Sequence, residues 1–167
     1  IAPVDVVIVP GNHDEHTAWC VGDALHCWYN NDKSVEVDMN PHPTKYYSYG
    51  QTMFALTHGK DIRPERLPGV MSTEQSEMWA TCRYKEGLVG HLHHKRETVF
   101  MPTQELGGVR VRQMPSLVSS DAYHARHGYV GSLRAAQGLL YHANNGYEAE
   151  IAYNPRSIQE SNAPIIK

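Results

Sequence analysis

A chain of 167 residues that is 41% hydrophobic and 20% charged has the size and composition of one globular domain with a real core. Its net charge of −3 excludes a general electrostatic pull toward nucleic acid or anionic membrane, leaving only local basic patches. No stretch approaches the ~18 apolar residues that span a bilayer, and no secretory signal pattern is read at the start. Cys20, Cys27 and Cys82 are odd in number and form no C-x-x-C pair, which fits the reduced thiols of a cytoplasmic protein better than a disulfide framework.

In chain order, the β-branched run at residues 4–9 reads as a strand buried on both faces. Ala18, Val21, Leu25 and Trp28 recur at helical spacing and predict one face of a helix over 17–29, with Trp19, Trp28 and Trp79 in the core. Val35, Val37 and Met39 predict a short strand that ends before Pro41. Two strands come next, 45–49 and 51–57, separated at Gly50, and residues 60–71 read as a mobile loop rich in Pro, Arg and Gly. Ser72 with Gln75 suggests a capping box for a helix reaching about Tyr84. Short strands are expected at 88–89, 98–101 and 109–114. Strands at 139–142 and 147–153 flank Asn144-Asn145-Gly146, a good hairpin turn. Residues 1–153 thus form one α+β domain of sheets covered by helices, and 154–167 a tail without periodicity.

Three of these strand ends carry related side chains. Asn12-His13-Asp14 comes after the first, His58 after the second, and His91 with His93 after the third, among 11 histidines. Imidazole nitrogen and amide oxygen suit divalent transition metals. Each group alone has a plainer reading: a surface histidine at 58, an N-capped turn at Asp14, and a basic run over His93-His94-Lys95-Arg96. Together, each at a strand exit beside glycine, they point to one site.

Gly11-Asn12-His13-Asp14, Thr57-His58-Gly59 and Gly90-His91-Leu92-His93, in this order, resemble the calcineurin-like metallophosphoesterases over about residues 1–115. The resemblance implies a four-layer α/β/β/α sandwich and two divalent ions, Mn, Zn or Fe. It implies that Asn12, His58 and His91 bind one ion and His93 the other, with His13 protonating the leaving oxygen and Asp14 holding its ring. The family's preceding motifs, D-x-H and G-D, do not occur ahead of Asn12. The chain is therefore read as N-terminally incomplete, hydrolytically inactive alone, and prone to self-association or to pairing with a missing segment. The implied function is hydrolysis of phosphomonoesters or phosphodiesters, with nucleic acid or nucleotides among the candidate substrates and no membrane partner. The alternative is a non-catalytic binding or assembly module that keeps the fold. Arg110 and Arg112 alternate along one strand, placed to line a groove for a phosphodiester backbone. His124 and His127 are read as surface or supporting residues.

Overall fold

A computed structural model describes residues 2–90, 103–117 and 135–153. The expected strand at 98–101, the loop histidines His124 and His127, and the tail lie outside the described residues. The fold is mixed α+β, built on a five-stranded mixed sheet of order β3-β4-β5-β7-β6. Its strands are β3 (Thr44–Tyr49), β4 (Thr52–Thr57), β5 (Tyr84–Val89), β6 (Thr103–Leu106) and β7 (Val109–Gln113). The tight turn at Gly50, with φ of 55°, makes β3 and β4 antiparallel. β4, β5 and β7 run parallel, and β6 closes the edge antiparallel to β7.

Alternation along these strands creates two different faces. Met53, Ala55, Val89, Val109 and Val111 point to one side, where α2 (Leu67–Glu74) and α3 (Ser76–Thr81) bury Leu67 and Met71 among them. The contact is close because β5 offers Gly87: a Cβ there would sit 2.4 Å from Leu67 Cδ2. Truncating a fully buried leucine leaves a cavity as well as losing transfer energy, so Leu67→Ala is expected to cost about 2–5 kcal/mol. Trp28→Ala, by contrast, should stay within about 0.5 kcal/mol, because that side chain is 81% exposed. Denaturant midpoints of the two variants check the contrast.

The opposite face carries Tyr47, Phe54, Glu86, Arg110 and Arg112. The hairpin of β8 (Ala136–His142) and β9 (Gly146–Tyr153) covers it, turning at Gly146. Tyr141 meets Phe54 edge-on at 4.8 Å, and Arg112 stacks on Tyr147 at 4.1 Å. β1 (Val4–Val6) pairs in parallel with β2 (Val35–Val37) and is tied to this face by Tyr47, whose hydroxyl donates to Asp5 at 2.5 Å. α1 (Glu15–Tyr29) packs outside that pair, with Gly22 close to Ile8 and Met39.

Several expectations are corrected. β1 is not buried on both faces: Val4 and Asp5 are exposed and only β2 pairs with it among the described residues. α1 turns Ala18, Gly22, Leu25 and Tyr29 inward, not the 18-21-25-28 stripe, so Trp19, Val21 and Trp28 are exposed and only Trp79 packs against the core. Residues 60–71 are not all loop. A 3-10 turn at Pro64–Arg66 leads into α2, because Pro68 in a first helical turn removes no needed hydrogen bond. Ser72 lies inside α2, its hydroxyl bonded to Gly69 O, so it caps no helix; the chain breaks at Gln75, which ends α2 and precedes α3, and α3 stops at Thr81. Nor do Arg110 and Arg112 line an open groove; both ion-pair with Glu86 beneath the hairpin.

Candidate functional site

The parallel strands β4, β5 and β7 end level with one another. Gly90 N donates to Thr57 O at 3.1 Å, and Met114 N to Val89 O at 2.8 Å. The residues just past each strand are therefore delivered to one edge of the sheet, a common place for chemistry in open α/β sheets. His58 comes directly after β4. At Gly59 the backbone adopts φ of 89°, and a Cβ there would meet Val89 Cγ1 at 2.3 Å, so only glycine lets the chain turn away here. Gly90 passes beside His58, and Gln113 at the end of β7 holds the Gly90 carbonyl with an amide N–H at 2.6 Å.

From the other sheet comes the turn that joins β1 to α1. Asp14 stands at the N-cap of α1, its backbone oxygen taking the first helical bond from Ala18 N at 2.7 Å. Its carboxylate folds back rather than forward, accepting from Gly11 N at 2.7 Å. The resulting tight loop fixes Asn12 and leaves His13 exposed. A Cβ on Gly11 would lie 2.6 Å from that Asp14 oxygen, so the glycine is required by the loop's own hydrogen bond.

The two elements meet at Asn12 and His58, 46 residues apart in sequence, with Asn12 Oδ1 and His58 Nε2 separated by 2.8 Å. Of the residues expected to converge from the strand ends, these two are brought together. His91 and His93 lie outside the described residues. Among the described residues, no group of three His, Cys, Asp or Glu side chains is arranged around a metal position. The Asn12–His58 pair does fit one: two bonds of about 2.0–2.2 Å from a shared ion at roughly 90° put oxygen and nitrogen about 3 Å apart.

A cleft of about 470 Å³ opens beside the pair, between α1, the β2–β3 connection and residues 57–62. Its lining includes Trp19, Asp38, Lys45 and Asp61. Lys45 is 4% exposed, ion-paired with Asp38 at 2.9 Å and bonded to the Asn40 carbonyl. Neither this ion pair nor Gln113 stands out in the sequence. Lys45 belongs to a stretch that reads as an aromatic strand, and Gln113 carries no chemical signature apart from the strand end it occupies.

No family model, curated protein or solved structure matches this chain. Among the described residues, no helix is long and apolar enough to cross a membrane.

Proposed function

We propose that this chain belongs to a cytoplasmic metal-dependent phosphoester hydrolase of the calcineurin-like type, with the four-layer sandwich of that family. The observation that carries the reading is the 2.8 Å approach of Asn12 Oδ1, in the β1–α1 connection, to His58 Nε2, at the exit of β4 in another sheet. Asn12 and His58, with His91, would hold one divalent ion, and His93 would contribute to a second. Two such ions neutralise phosphoryl charge and lower the pKa of a bound water. The chain's own residues then have distinct tasks. Asn12 orients the phosphate, and exposed His13 gives a proton to the departing oxygen. Asp14, assigned by the family resemblance to hold the His13 ring, also bonds Gly11 N and so fixes that loop. Phosphomonoesters, nucleotides and nucleic acid phosphodiesters are all candidate substrates. The adjoining cleft lies within the ~300–1,000 Å³ typical of small-ligand sites, room for more than a bare phosphate.

Manganese titration tests this directly. The 167-residue chain is expected to bind Mn(II), and Asn12→Ala and His58→Ala each to weaken binding by more than roughly 10-fold, a loss that even outer partners of metal ligands produce. His13→Ala should bind Mn unchanged. If both ligand variants bound Mn like the parent, the pair would be a plain side-chain hydrogen bond. The reading would then move to a non-catalytic module on the same fold.

A further inference from the structure

The outward side of α1 carries four residues of metal-ligating types that the proposed phosphoesterase site does not use. His16, Cys20, Asp23 and Cys27 are all exposed. At about 100° per residue they fall within about 60° of one another around the helix. They lie opposite the inward residues Ala18, Gly22, Leu25 and Tyr29. Nothing in the packing of α1 requires this composition.

His16 Nδ1 and Cys20 Sγ are 3.8 Å apart, one turn from each other. A tetrahedral zinc-class ion with Zn–S of about 2.3 Å and Zn–N of about 2.0–2.1 Å separates those two atoms by about 3.6 Å. The pair is thus already set at the bite of a chelate. It supplies only two ligands, and no third His, Cys, Asp or Glu joins it among the described residues. Among the described residues of a single chain, nothing supplies the rest.

The spacing along the helix points to a source. His16 and Cys27 are equidistant from a point between positions 21 and 22, and so are Cys20 and Asp23. A two-fold axis through that point lays a second copy of α1 antiparallel to the first. It sets His16 and Cys20 of one copy opposite Cys27 and Asp23 of the other, twice. We infer that two copies of this chain pair through α1 and clamp two soft divalent ions of the zinc class. Each ion is held by His16 and Cys20 from one copy and by Asp23 and Cys27 from the other. The set of two thiolates, an imidazole and a carboxylate is a zinc-type ligand set, and the interface is self-complementary as a two-fold demands. The two ions lie about 10 Å apart along the helices, from seven residues at about 1.5 Å each. Trp19 and Trp28, exposed on either flank of the stripe, border the same interface.

Cobalt(II) in place of zinc tests the proposal, with a phosphine reductant present to exclude disulfides. Sulfur-to-cobalt charge transfer reports this site alone, since Asn12, His58, His91 and His93 offer no sulfur. The full chain is expected to develop the band to an intensity of one thiolate-bound cobalt per chain while sedimentation shifts from monomer to dimer, and a chelator should reverse both. C20S and C27S each remove a ligand from the outward side of α1 without touching its packing, and each should lose dimerisation and most of the band. Mixed in equal amounts, the two variants form heterodimers with one intact site, so half of the parent band should return with the dimer. A band from a monomer, a dimer indifferent to metal, or no recovery on mixing would each overturn the shared site.

Discussion

Glu86→Ala is expected to destabilise the protein by about 3 kcal/mol, the largest loss from any single substitution outside the apolar core. Removing one partner of a buried ion pair costs about 3–5 kcal/mol because the other charge stays behind in a poor solvent. Glu86 is 3% exposed and accepts from Arg112 Nε at 3.2 Å, with Arg110 at 3.4 Å. Glu150 on β9 still faces Arg112 at 3.1 Å, which places the cost at the lower end. Burial raises the Glu86 carboxyl above its usual range, and the neighbouring arginines only partly offset it. The folded chain therefore keeps this proton to higher pH than the unfolded chain. The stability from that difference is complete below the ordinary glutamate range and is lost as pH climbs through the raised value. Glu86→Gln should abolish this slope. Urea midpoints on both sides of the window would show it, and a midpoint for Glu86→Ala equal to the parent's would mean that the hairpin is held by its aromatic contacts alone.

This network also shows where sequence reading stops. Period-two alternation and the turn residues at Gly50 and Asn144-Asn145-Gly146 locate β3, β4, β8 and β9 closely, because local geometry decides them. Alternation also puts Arg110 and Arg112 on one strand face, but nothing local says that a hairpin some 30 residues later covers that face. The same limit explains α1. Its apolar spacing fits two stripes, and the choice falls to Gly22, which lets the helix approach Ile8 and Met39 and so turns Trp28 outward. At the site, the strand exits are legible as carriers of Asn12 and His58. Their meeting at 2.8 Å depends on how two sheets pack, which no spacing encodes.

His13→Ala is expected to slow hydrolysis of a poor alkyl leaving group by about 10²–10⁴-fold, the usual contribution of a positioned proton donor. An activated aryl ester leaves as a stable anion without a proton, so its rate should fall far less. Manganese binding should not change, because His13 is exposed on the loop that presents Asn12 and is not among the proposed ligands. The ratio between the two esters carries the test, because it does not depend on the absolute rate of the chain. Carboxylates beside the pair would help to hold a second cation, and Asp38 and Asp61 in the adjoining cleft are the first to replace. Asp38 already neutralises buried Lys45, so Asp61 is the better candidate to hold a cation. Equal losses on the two esters would show instead that His13 stabilises charge on the phosphoryl group, leaving the departing oxygen to take its proton from water.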